Sequence, residues 1–305
     1  MSARLLADLG STAAGSVQQL GTEQMTTSVL AASGGVKQVI CINWGTKYGA
    51  PFINRLYAMV ARNITPPFTF TCFTDCRAGL NPAILCEDLP PLNVETMPTN
   101  TRGIWPKARL WGPSLGNLKG PVLFLDLDLV IVSSLDVFFE IGKADDIILA
   151  RNQTTPFERL GQTSLFRFPV GKLVPLQDKF RSDPQGVADE YRYEQRFVSR
   201  KAPGGIKFFP RKWVLHFRQD CRWPFPLNYF FAPRLPHDAR VVIFPRGLHP
   251  QHAVEGRYGT KGPRKTAFKH IAGVFDAKQR KNKGPLQYLR HYIRPTPWVA
   301  EHWRE

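Results

Sequence analysis

The chain has 305 residues, 43% of them hydrophobic, enough for one large globular domain or for one domain with terminal extensions. Charged residues make up 21%, and the composition excludes a fibrous, collagen-like or wholly disordered protein. The formal net charge of +17 favours polyanionic partners, and its sign does not choose among nucleic acid, anionic membrane and phosphorylated substrate.

Residues 1–35 are rich in Ser, Thr, Ala, Gly and Gln and are expected to form a mostly disordered lead-in. They show no signal peptide: one Arg precedes Leu5-Leu6-Ala7-Asp8, with no apolar core. No stretch approaches the ~18 apolar residues of a spanning helix. A cytoplasmic location is expected, with membrane contact only peripheral. Residues 37–44 are an apolar run that ends in the loop Gly45-Thr46-Lys47-Tyr48-Gly49. Phe52, Ile53, Leu56, Met59 and Val60 then fall at helical spacing, and Pro66-Pro67 stops the helix. Residues 68–75 read as a second buried strand. Strand, helix, strand is a βαβ unit and predicts an α/β fold with a parallel sheet.

A Pro-rich passage leads to Ile104-Trp105-Pro106-Lys107-Ala108-Arg109-Leu110-Trp111. Residues 120–132 read as a central strand interrupted by Asp126 and Asp128. Residues 147–150, 163–168, 213–217 and 241–244 are further strand candidates. Cys41, Cys72, Cys76, Cys86 and Cys221 are odd in number and form no Cys-x-x-Cys, as expected of reduced structural thiols in a cytosolic protein.

From residue 257 to 294 eleven Lys and Arg face one acid, Asp276. Three readings stay open: a solvated surface, contact with an anionic membrane or lipid-linked acceptor, or nucleic-acid binding. The last is disfavoured, because the stretch contains no recognised module. Trp298 and Trp303 imply a terminus docked on the body. The expected organisation is a lead-in over 1–35, a body over 36–256 and a basic extension over 257–305.

Asp126 and Asp128 carry the chemistry. An unpaired carboxylate in a buried strand costs several kcal/mol, and two of them two residues apart share a face. Their repulsion is relieved by a hard divalent cation with oxygen ligands, Mg²⁺ or Mn²⁺. The strand end is also where open α/β sheets bind ligands. Two acids solvated or paired to Arg are the plain alternative.

The run Leu123-Phe124-Leu125-Asp126-Leu127-Asp128-Leu129-Val130-Ile131 resembles the Asp-x-Asp strand of GT-A glycosyltransferases, closest to bacterial proteins related to the glycogenin and lipopolysaccharide galactosyltransferase group. The resemblance covers roughly residues 37–253. It implies a mixed, mostly parallel Rossmann-like sheet flanked by helices. It also implies a nucleotide diphosphate-sugar donor, often a UDP-sugar, and a glycan or lipid-linked acceptor at the cell surface. A metal on Asp126 and Asp128 would neutralise the departing diphosphate. Asn43, Trp44, Gly45 and Tyr48 look like the first strand-loop-helix, against the nucleotide. Asp75 is similar to the second-strand end that reaches the base. Lys107 and Arg109 resemble the cations that meet the diphosphate-sugar.

Two positions depart from that pattern. Where relatives place a His as third metal ligand, this chain reads Phe244-Pro245-Arg246-Gly247-Leu248-His249. Pro245 occupies the His position. His249 or His252 is then the replacement ligand, with His249 preferred because Gly247 lets the loop bend toward the acids; Arg246 contacting the diphosphate directly is the other solution. Where relatives carry Gly-Asp-Gln, this chain has Glu194-Gln195, which either positions the sugar or acceptor or caps a helix start. A metal-dependent nucleotidyl or phosphoryl transferase is the runner-up, but no Gly-x-x-x-x-Gly-Lys-Ser/Thr loop is present. A non-catalytic basic binding protein would leave the buried acids without a purpose.

Overall fold

The computed structural model describes residues 35–155, 157–244, 247–259, 263–281 and 283–305. All but one residue of the expected lead-in lies outside the described residues, and so does Arg246. Residues 38–305 form one compact unit.

A seven-stranded sheet runs in the order β3-β2-β1-β4-β7-β6-β8. Its strands are β1 (Lys37–Asn43), β2 (Phe68–Thr74), β3 (Leu85–Glu87), β4 (Pro121–Leu125), β6 (Ile148–Arg151), β7 (Gly161–Pro169) and β8 (Lys207–Phe208). β1 pairs with β4 in parallel, and β7 is antiparallel to both β4 and β6. A second, three-stranded sheet, β5-β10-β9, is built from β5 (Leu129–Ile131), β9 (Val214–His216) and β10 (Val241–Ile243).

The period of two along a strand sorts the core. Val39 and Cys41 of β1 and Leu123 and Leu125 of β4 face one hydrophobic cluster. Ile40, Ile42, Val122 and Phe124 face the other. The first cluster is closed by Ile53, Leu56, Met59 and Val60 of the helix Ala50–Arg62. The second is closed by the 3-10 helix Trp105–Trp111 and by helices over 174–201, where Trp105 stacks on Phe180 at 5.1 Å. Central strands with two covered faces read as unbroken apolar runs, and for that reason β1 and β4 stand out in the sequence.

The expected single strand over 120–132 is two strands in two sheets. β4 ends at Leu125, residues 126–128 turn, and β5 begins at Leu129 in the smaller sheet. Leu127 is buried in the core between the two acids. The acids therefore sit at the seam where the chain passes from one sheet to the other.

The C-terminal helix Pro297–His302 lies on the body. Trp298 Nε1 donates to the Pro233 carbonyl at 2.9 Å, and the Arg55 guanidinium sits 4.4 Å over the Trp303 ring. Among its described residues, the basic stretch before it holds the short α-helices Ala267–Ala272, Ala277–Arg280 and Pro285–Leu289 and the 3-10 turn Gly273–Phe275.

Candidate active site

The end of β4 delivers Asp126 and Asp128 beside the end of β1, on the strand edge where α/β sheets bind ligands. The backbone N–H of Asp126 still donates to the Ser164 carbonyl at 2.9 Å, continuing the pairing to β7. Its side chain turns to the 3-10 helix. Lys107 Nζ lies 2.6 Å from Asp126 Oδ1, with Lys107 only 5% exposed. The 3-10 geometry of Trp105–Trp111 buries both Trp rings and with them the stem of Lys107. Burial pushes the Asp126 carboxyl above its ordinary range; Lys107 pulls it back, and the charge of Asp128 pushes it up again.

Asp128 is held from the other side. Tyr48 Oη donates to Asp128 Oδ2 at 2.7 Å. Burial and the Asp128 charge hold the Tyr48 hydroxyl well above its ordinary value, so it stays a donor. His249, at the start of the helix Pro250–Glu255, places Nδ1 3.6 Å from Asp128 Oδ2. That ring nitrogen is buried with no hydrogen-bond partner. The His249 ring meets Tyr48 edge-on, with centroids 5.6 Å apart.

The two acids, Lys107 and Tyr48 open onto a cavity of about 340 Å³, which His249 does not line. Asn43, Trp44, Tyr48 and Lys107 line it, as do Asp126, Asp128, Glu194 and Gln195. Gly45 and Asp75 do not line it but bond each other: the Gly45 N–H, in a loop that needs φ +63°, donates to Asp75 Oδ2 at 2.9 Å. Arg109 does not line the cavity; it donates to the Pro90 carbonyl at 2.8 Å. Arg246 lies outside the described residues. Sequence reasoning missed Arg102, which lines the cavity from a Pro- and Thr-rich segment without periodicity. Lys47 lines it too, and only its place in the first loop marked it.

Glu194 begins the helix Glu194–Lys201 but does not cap it with its side chain. Oε2 accepts from the Ile104 N–H at 2.7 Å, and Oε1 accepts from the Thr163 hydroxyl at 3.2 Å. The carboxylate thus braces the entry to the Lys107 helix against β7. Glu194, Gln195 and Arg102 also line an adjoining cavity of about 280 Å³, which Arg151 and Asn152 extend. The buried Oδ1 of Asn43 and Oε1 of Gln162 find no partner and offer acceptors to a polar ligand.

Two carboxylates and a partnerless imidazole nitrogen at one place are a donor set suited to Mn²⁺ or Mg²⁺. Among the described residues, no group of three or more His, Cys, Asp or Glu is gathered as a ligand cluster. Asp126 is turned to Lys107 and Asp128 to Tyr48.

No protein-family model and no curated protein matches the sequence. Among solved structures, the chain is similar to the galactosyltransferase LgtC in complex with donor and acceptor sugar analogs: 15% identity and TM-score 0.51, covering 71% of this chain and 90% of that one. An active-site mutant of LgtC matches at 13% identity and TM-score 0.50, over the same shares of the two chains. The glycosyltransferase GlyE of Streptococcus pneumoniae matches at 11% identity and TM-score 0.49, over 70% of this chain and 56% of that one. At these identities the likeness is one of fold: this chain has the fold of the GT-A glycosyltransferases.

Proposed function

We propose that this protein is a glycosyltransferase that moves a sugar from a nucleotide diphosphate-sugar, a UDP-sugar first among them, to a glycan or lipid-linked acceptor. The observation that carries the reading is the pair Asp126 and Asp128 at the seam of the two sheets, held by the buried Lys107 and the half-buried Tyr48 and both open to one cavity. The LgtC fold match, solved with donor and acceptor sugar analogs, supports the class of substrate.

In this reading the cavity of about 340 Å³ takes the donor, a size in the ordinary range for ligand pockets. Trp44 and Tyr48 offer apolar walls, and Asn43 Oδ1 a free acceptor. Asp126, Asp128 and His249 would hold Mn²⁺ or Mg²⁺. The ion supplies positive charge against the leaving diphosphate. Lys107, buried beside Asp126, adds to that field. Arg102 faces both cavities and suits a diphosphate or an anionic acceptor. The adjoining cavity, reached past Glu194 and Gln195, takes the acceptor. The basic C-terminal stretch fits an acceptor presented at an anionic membrane.

The test is a donor screen. Purified protein is incubated with Mn²⁺ and a panel of nucleotide-sugars, and released nucleoside diphosphate is measured. Release from one donor class, abolished by EDTA, is expected. Release that persists undiminished in EDTA would remove the metal, and no release from any donor would remove the transferase.

A further inference from the structure

Eight of the twelve large apolar side chains exposed among the described residues lie between residues 225 and 286, among them Phe225, Phe230, Phe231, Phe268, Ile271 and Phe275. They come from two stretches that are tied together. Tyr229 Oη lies 2.7 Å from His270 Nδ1, and its ring stacks on Tyr292 at 4.5 Å. Asn228 Nδ2 donates to the carbonyls of Leu289 and Tyr292 at 3.2 and 3.0 Å. The two stretches form one braced surface.

The helix Ala267–Ala272 runs into the 3-10 turn Gly273–Phe275. Phe268, Ile271 and Phe275 recur at three and four residues and are 81%, 46% and 89% exposed, while His270 is buried inward. A helix solvated on its outer side carries polar residues at such positions. The segment that bears this apolar face is strongly cationic. Residues 263–294 hold nine Lys and Arg against Asp276 alone. Asp276 is spent locally, accepting from the N–H groups of Lys278 and Gln279. Arg222 and Arg234 flank the other stretch, with no acid between them.

An apolar face on so cationic a segment fits an apolar surface that carries negative charge. A second copy of the chain would set like charge against like charge. A neutral apolar partner would leave the cations unanswered. An anionic lipid surface answers both features, since apolar side chains enter the acyl boundary while Lys and Arg reach the phosphates. No helix among the described residues is long and apolar enough to cross a membrane, so the contact lies along the interface. We infer that this surface is a membrane-docking face, seating Phe268, Ile271, Phe275 and the 225–231 stretch in an anionic lipid surface. It deepens the lipid-linked acceptor of the proposed function and does not depend on the transfer chemistry.

The test is co-sedimentation of the full chain with phosphatidylcholine vesicles, with and without phosphatidylglycerol, in the absence of donor and acceptor. The wild type should bind the anionic vesicles and hold part of that binding as salt rises. Phe268→Ser with Phe275→Ser should keep the wild-type melting temperature, because both rings are exposed. It should lose roughly tenfold in binding for each phenylalanine. Lys269→Ser with Lys278→Ser should weaken binding to anionic vesicles and leave the salt-resistant part. Equal binding by the double phenylalanine variant, or no wild-type binding to anionic vesicles, would overturn the inference. So would a dimer in solution that the phenylalanine variant dissolves while vesicle binding is absent. Failure of the donor screen with vesicle binding intact would sink the transfer chemistry alone.

Discussion

Replacing Lys107 by Met isolates the contact on which the site is built. Met keeps the length of the stem and removes the ammonium that lies 2.6 Å from Asp126 Oδ1. Losing one partner of a buried ion pair leaves the other charge uncompensated, at about 3–5 kcal/mol. The Asp126 side chain retains 18% exposure, so the lower end applies. For a domain this large, ~3 kcal/mol corresponds to a fall in Tm of roughly 6–12 °C. The pH dependence has a definite sign. Burial already raises the folded-state value of Asp126, and Lys107 holds it down. Without Lys107 it rises further. A carboxyl raised on folding costs stability as pH climbs from its unfolded to its folded value. The deficit should therefore be small near pH 4 and open toward neutrality. Thermal melts of both proteins in EDTA across that range measure it. A variant as stable as wild type at pH 7, or a deficit that does not shrink in acid, would refute the reasoning. Adding Mn²⁺ should return part of the lost stability, since a ligand at a hundred times its Kd contributes about 2.7 kcal/mol.

Three further outcomes follow from the same geometry. Tyr48→Phe removes the hydroxyl that donates to Asp128, and should raise the metal concentration for half-maximal rate by roughly 10–100-fold; an unchanged titration would make Tyr48 a packing residue only. His249→Ala should raise that concentration at least as much if Nδ1 is a ligand, whereas weaker donor binding at every metal level would point to a different role. Glu194→Ala unpairs the Ile104 N–H and the Thr163 hydroxyl, and should lower stability by about 3 kcal/mol in a denaturant melt. Full stability with lost turnover would move Glu194 from brace to chemistry.

Much of this architecture was legible because its central strands are covered on both faces. β1 and β4 appear as apolar runs, and the acids that interrupt the second run marked the site. The turn at Asp126-Leu127-Asp128 was not legible, because β5 is as apolar as β4 and only its pairing with β10 places it in another sheet. β3 and β8 escaped notice as short edge strands of three and two residues. The partners of the acids were hidden by distance along the chain: Tyr48 and Asp128 are 80 residues apart. Lys107 was read as a cation for a diphosphate, and local pattern could not show that it answers Asp126 first. Arg109, two residues beyond Lys107, carries the same charge and bonds a carbonyl elsewhere. The direction of a side chain on a single 3-10 turn separates the two, and composition does not record it.

The central claim is that Asp126 and Asp128 engage a nucleotide diphosphate through a divalent cation. Calorimetric titration of UDP into wild type and Asp128→Asn, each with Mn²⁺ and with EDTA, tests it without any acceptor. Asn keeps the size of the side chain and an oxygen for Tyr48 while removing the charge. The account predicts binding by the wild type in Mn²⁺, its loss in EDTA, and on the order of hundredfold weaker binding by the variant, or about 2.7 kcal/mol. Equal affinity with and without metal, or a variant that binds UDP as tightly as wild type, would contradict it.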